Sequence, residues 1–126
     1  MLTDCRVHTT IPAADMDRAR RWYEEKLGFQ PLERLPTGLM YRAGDDTRFV
    51  LYPSATAGMA PQTVMGFVAA DIEAEVRDLK GRGVVFEDYD YATMKTVDSI
   101  ATRNNVRSAW FKDSEGNIIG IVQLPE

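Results

Sequence analysis

The 126-residue sequence contains a single cysteine, Cys5, and a single histidine, His8. One thiol excludes an intramolecular disulfide, and there is no Cys-x-x-Cys pair to seed a structural zinc site. A lone cysteine is expected to be a small buried hydrophobe. As a nucleophile it would need a base, and His8, three residues on, would fall on the opposite face of a shared strand. Positive charge is also in short supply: 15 Lys and Arg stand against 19 Asp and Glu, a formal net charge of −4. Nucleic acids are held by clustered cations, so no nucleic-acid partner is expected. No apolar run approaches the ~20 residues that cross a bilayer. The first ten residues lack the basic stretch and apolar run of a secretory signal. These absences predict a cytoplasmic chain with no membrane partner. The remaining composition, 44% hydrophobic and 27% charged, is that of one soluble domain large enough to bury a core without staples.

What the sequence does contain is a repeat. Residues 9–15 read TTIPAAD and residues 65–71 read MGFVAAD. Each strand-like segment ends in Ala-Ala-Asp, and each precedes a helical pattern that stops at a glycine, Gly28 or Gly83. The first helix is expected from about Asp15 to Leu27. Asp15 is placed to cap it, and Met16, Ala19, Tyr23 and Leu27 form one apolar stripe. The second runs from about Asp71 to Lys80 with Ile72, Val76 and Leu79 inward, and Glu73 and Arg77 pairing outward. After each helix the periodicity changes to two. Expected strands are residues 30–35, 38–42 and 47–53 in the first half, and residues 84–89, 106–112 and 117–123 in the second. The fold class is therefore α+β, with each half a strand, a helix and three further strands, a βαβββ module. Module 1 covers about residues 1–54, a linker residues 55–62, and module 2 residues 63–126 of a single domain. Residues 91–105 form a segment longer than its counterpart in module 1. They read either as a binding lid or as a solvated loop with a helical turn at about residues 97–101.

Three segments carry a family resemblance: VHTTIPAADMDRARRWYEEKLGF (7–29), FVAADIEAEVRDLKGRGV (67–84) and WFKDSEGNII (110–119). Their order and content resemble the vicinal oxygen chelate superfamily, the glyoxalase, bleomycin resistance protein and dioxygenase group, over nearly the whole chain. The resemblance implies two tandem βαβββ modules whose mixed sheets curve around a shared cavity, a small-molecule pocket. It leaves open whether the protein is an enzyme. Glyoxalase I, extradiol dioxygenases and fosfomycin resistance enzymes of that family use a divalent metal, whereas bleomycin resistance proteins bind their drug without one. Many relatives pair modules across chains, so a homodimer is also implied.

The resemblance places four metal-ligand positions on the first and last strand of each module. Seven residues before the capping Asp stand His8 in module 1 and Val64 in module 2. Three residues after the Asn of the closing Gly-Asn motif stands Gly120, and the repeat aligns Val50 with it. Only His8 has an atom that can bind a metal. Carboxylates from Glu87, Asp88 or Asp90 are the alternative source, although EDYDY also reads as an exposed edge strand and loop. Neither metal nor other cofactor is therefore expected. Strand alternation turns toward the cavity His8, Thr10 and Pro12; Arg48, Val50 and Tyr52; Val64, Gly66 and Val68; and Ile118, Gly120 and Val122. Tyr52, Trp110 and Tyr41 are candidates to stack on a ligand, with plain core packing the competing role for Trp110. Arg48 either grips a ligand carboxylate or snorkels to solvent.

Three functions compete. The first is metal-independent binding of a small, largely apolar or aromatic molecule. The second is a metal-independent isomerase or lyase with His8 as base. The third, disfavoured by Val50, Val64 and Gly120, is the metal-dependent chemistry of the glyoxalases and dioxygenases.

Overall fold

A computed structural model describes residues 1–126. Strand β1 (Thr9–Ala13) leads into helix α1 (Met16–Leu27), followed by β2 (Glu33–Leu35), β3 (Gly38–Arg42) and β4 (Arg48–Pro53). The second half opens with β5 (Thr63–Val68) and helix α2 (Ile72–Gly81). It continues through β6 (Asp90–Tyr91), β7 (Met94–Val97), β8 (Ile100–Arg103), β9 (Val106–Lys112) and β10 (Ile118–Gln123). The sheets are ordered β1-β4-β3-β2 and β5-β10-β9-β8-β7-β6. The strands β5-β10-β9-β8 of the second sheet repeat β1-β4-β3-β2 of the first, with the opening strand parallel to the closing one in both.

Both helices begin as their sequences predict. The Asp15 and Asp71 carboxylates accept the amides of Arg18 and Ala74, three residues on, which satisfies otherwise free first-turn donors. Gly28 ends α1 at φ 78°, the left-handed cap that a Cβ disfavours. The buried faces of the helices and strands meet in one core. Ile11, Leu51, Ile72 and Ile119 are fully enclosed, and Tyr23, Tyr41 and Phe49 form an aromatic layer beneath α1. Tyr41 is therefore a core residue and not a ligand-stacking one.

Four local expectations are corrected. Residues 84–89 do not form the second strand of module 2. Phe86 makes one bridge to Phe111, and the Glu87 amide donates to the Trp110 carbonyl. The other half of the β9 edge, residues 106–108, pairs with β8. Residues 97–101 form no helical turn, because Asp98-Ser99 and Asn104-Asn105 are two-residue hairpin loops between β7, β8 and β9. All four take φ between 51° and 71°, and that geometry matches the twist of the flanking strands. Cys5 is exposed rather than buried. Glu73, expected to pair with Arg77, instead accepts from Arg107 at 2.6 Å.

The Tyr41 hydroxyl is buried without a hydrogen-bond partner. Burial pushes its phenol up to about 12. Replacing an unpaired buried hydroxyl by hydrogen removes a desolvation cost. Tyr41→Phe is expected to leave stability unchanged or raise it by up to ~1 kcal/mol, read from urea unfolding.

Candidate functional site

The relative placement of the modules depends on the turn between β9 and β10, Asp113-Ser114-Glu115-Gly116-Asn117. Asp113 Oδ1 accepts the amides of Glu115 and Asn117, both at 2.9 Å, and closes the turn on itself. Its Oδ2 accepts the Tyr23 hydroxyl of α1 at 2.7 Å. Asn117 Nδ2 donates to the Pro12 carbonyl on β1, and Asn117 Oδ1 accepts the Gly58 amide of the linker. The Glu115 side chain, with no exposed surface, takes a two-pronged hydrogen bond from Arg18 at 2.9 and 3.0 Å and another from the Asp15 amide at 2.9 Å. Burial, the largest influence, pushes the Glu115 carboxyl up. The Arg18 side chain, the Asp15 amide, the Ser114 hydroxyl and the Arg18 charge outweigh it and bring it down to about 2. The closing motif thus locks module 2 onto module 1. Sequence reading used this motif only to count to position 120 and missed the lock.

With the modules so held, strand parity separates the core residues from the concave faces. On β4, Phe49 and Leu51 point into the core while Arg48 and Tyr52 stay half-exposed. On β5, Met65 is buried while Gly66 and Val68 are exposed. Three depressions open on this side. His8, Thr10, Val50 and Tyr52 share a shallow one of about 510 Å³ on module 1. His8, Arg48, Gly66 and Val68 share a slot of about 450 Å³ at the end of the seam between β1 and β5. Trp110 lines a groove of about 670 Å³ on module 2. Val64, Ile118 and Gly120 stand on β5 and β10, between the last two. One chain does not bring the sequence-predicted residues into one pocket: His8, Thr10, Arg48, Val50, Tyr52, Gly66, Val68 and Trp110 divide among these three depressions, and Val64, Ile118 and Gly120 line none of them.

The module 2 groove is lined mostly by residues 91–104, the segment that the sequence leaves open as a binding lid or a solvated loop, although it names none of them as a site residue. Tyr91, Met94, Ala101 and Ser108 line it with Trp110. Tyr89 meets the Trp110 ring edge-on at 5.5 Å and stacks on Tyr91 at 5.9 Å. Burial, followed by the Glu87 charge, raises the Tyr89 phenol, so it is a neutral hydroxyl at physiological pH. The loop dipeptides Asp98-Ser99 and Asn104-Asn105, flanked by alternating residues, were the available signal for these strands.

Trp110 pairs with Gly120 across the β9–β10 ladder. A Cβ on Gly120 would lie 3.5 and 3.6 Å from the indole Cδ1 and Nε1, and 3.3 Å from Thr63 Cγ2. The indole thus lies against the backbone at 120, in space that a longer side chain would need. The ladder also relates the two closing strands. Thr10 pairs with Val50 and Gly66 with Gly120, and Thr10 and Gly66 each stand five residues before a capping Asp. Val50 and Gly120 are therefore equivalent positions. The four positions that family resemblance gives to metal ligands hold His8, Val50, Val64 and Gly120, and only the first has a donor atom. No three His, Cys, Asp or Glu side chains converge anywhere in the chain. These residues do not fit a divalent ion in the family's arrangement. The imidazole of His8 is exposed and has no hydrogen-bond partner in the chain, so nothing orients it as a general base.

Comparison with known proteins agrees with this architecture. A family model described as the glyoxalase/bleomycin resistance protein/dioxygenase superfamily matches residues 6–121. UcmS2 superimposes with a TM-score of 0.74 at 22% identity, covering 94% of this chain and 97% of that one. A bleomycin-binding protein complexed with bleomycin gives 0.73 at 17% identity, with 95% and 98% covered. TnmS3, an antibiotic binding protein from Streptomyces sp. CB03234, gives 0.67 at 25% identity, with 96% and 98% covered. No curated protein sequence matches. No helix is long and apolar enough to cross a membrane.

Proposed function

The chain belongs to the glyoxalase/bleomycin resistance protein/dioxygenase superfamily, and we propose that it binds a small, largely apolar or aromatic organic molecule on its concave side without a catalytic metal. One observation carries the reading: Trp110 lies against Gly120, where the family resemblance calls for a metal carboxylate. The position that would hold the ion is given to an aromatic platform. Beside it, Tyr89 supplies a second ring, and Met94 an adaptable apolar wall. An aromatic floor with a few polar groups at its margin is suited to holding an organic ligand and excluding water from it. The relatives whose names include bleomycin or antibiotic binding support the same class of role.

A homodimer belongs to this proposal. Val68 is 72% exposed on the concave side, and the depressions there are open. A second copy facing them would close the cavity. Sedimentation that finds only monomer at micromolar concentration would remove this part.

The binding role is tested with a neutral planar probe, 2-naphthamide, by isothermal titration calorimetry of wild type and Trp110→Leu. Loss of one stacking platform is expected to weaken binding by about tenfold or more, the equivalent of ~1–3 kcal/mol. Equal binding by both proteins would move the ligand elsewhere. Metal analysis of purified protein, before and after incubation with nickel, zinc, manganese and iron, is expected to find no stoichiometric ion. One ion retained per chain would restore the metal-dependent reading.

A further inference from the structure

We infer that the slot at the end of the β1–β5 seam is an anion subsite, in which the Arg48 guanidinium receives a carboxylate carried by the aromatic ligand. The inference rests on the binding role proposed above and names the chemistry of its polar group. Arg48 projects from β4 into a space of about 450 Å³ that it shares with His8, Gly66 and Val68. Its three nitrogens are unequally satisfied. Nη2 donates to Asp46 Oδ1 at 3.1 Å, while Nη1 reaches only the Met40 sulfur at 3.5 Å, a weak acceptor. Nε is buried with no partner at all. Buried polar groups in native proteins are almost always paired, so a buried N–H on a cation that lines a cavity points to an acceptor supplied from outside the chain.

The local charge agrees. Asp46 is shared among three guanidiniums, Arg48 at 3.1 Å, Arg6 at 3.7 Å and Arg42 at 3.9 Å. Asp45 also lines the slot, while the Asp46 charge is divided among these three cations, in a chain whose formal net charge is −4. Asp45 and Asp46 take φ of 55° and 58°, a region that residues with a Cβ enter at some cost. The turn thus leaves the Asp46 carboxylate on Nη2 and Nε unoccupied. His8 lines the same space and has no hydrogen bond in the chain, and a ring N–H in either tautomer adds a second donor. A carboxylate is the group best matched to a guanidinium fork with a flanking N–H.

The test compares benzoate with benzamide, which share a shape and differ in charge, by titration of ¹⁵N-labelled protein observed through backbone amides. Benzoate is expected to shift the amides of Arg48, Gly66 and Val68 saturably, at concentrations where benzamide leaves them in place. Arg48→Met should weaken that binding about tenfold or more, and Arg48→Lys, which keeps the charge and loses the fork, severalfold. If Arg48→Met does not give a dispersed spectrum, Arg48→Lys carries the comparison. Equal shifts from benzamide, shifts confined to other residues, or unchanged benzoate affinity in the folded variant would overturn the subsite. Calorimetric binding of 2-naphthamide separates the two ideas. If it persists while benzoate shows no preference, the subsite falls and the binding role stands. If it is absent while benzoate still maps to Arg48, the aromatic platform falls and the anion site stands.

Discussion

Replacing Asp113 with Ala is expected to destabilise the protein by about 3–5 kcal/mol, a loss in the range reserved for breaking a buried hydrogen-bonded network. Asp113 is 6% exposed and accepts four hydrogen bonds, from two amides of its own turn, the Asn117 side chain and the Tyr23 hydroxyl. Truncation leaves the Tyr23 hydroxyl buried without its acceptor. Burial, and after it the Asp113 charge, hold that phenol well above its ordinary value, so it cannot escape by ionising. The measurement is urea unfolding of wild type, Asp113→Ala, Tyr23→Phe and the double variant. If the network is as described, Tyr23→Phe should be nearly harmless once Asp113 is gone, with a coupling of about 1 kcal/mol or more. A loss below ~1 kcal/mol in Asp113→Ala would show that the turn holds by itself. The consequence reaches the ligand site, because this contact joins α1 of one module to the closing turn of the other.

The second large effect is acid lability, expected between about pH 4.5 and pH 2. Glu115 has an ordinary value of 4.5 and is held at about 2 in the fold. A carboxyl depressed on folding contributes its full stability above the unfolded value and loses it as pH falls through the folded one. The depression corresponds to about 3 kcal/mol at neutral pH, as an order of magnitude. Arg18 is half exposed, so the contribution belongs to the enclosed carboxylate with its three donors rather than to a surface ion pair. Glu115→Gln is expected to be less stable than wild type at pH 7 and to unfold with a flatter dependence on pH between 4.5 and 2. Parallel curves for the two proteins would assign the acid sensitivity to another group.

Much of this fold was legible because its signals are local. The stripe of Ala19, Tyr23 and Leu27, the capping aspartates and the cap at Gly28 each act within a few residues, and each appears in the structure. The Ala-Ala-Asp repeat showed that the chain builds one unit twice. The alternation in residues 48–53 and 118–123 placed Phe49, Leu51, Ile119 and Ile121 in the core, where they lie, but Val50 and Gly120, assigned to the cavity face, are buried as well. Residues 84–89 misled because they alternate as a strand does, but the β9 edge they approach is already shared with β8. Competition for one row of hydrogen-bonding groups cannot be read from the segment that loses it. The loop expected at 91–105 failed for the opposite reason. Its turn residues were Asp, Ser and Asn, without the glycine that usually marks a tight hairpin.

For the ligand site the division is sharper. The sequence by itself determined what the strand positions can do chemically. The side chains of Val50 and Val64, and the hydrogen at Gly120, offer no lone pair in any fold, His8 is the only imidazole, and the net charge is −4 whatever the arrangement. The tertiary structure alone decided which distant groups meet. It brought Tyr23 to Asp113, the Asp15 amide to Glu115 and the Trp110 indole against Gly120. It also left Arg48 Nε buried without an acceptor. Periodicity specifies a face, since backbone geometry repeats every few residues. Contact between side chains some ninety residues or more apart is specified only when the packing of two whole modules sets their separation.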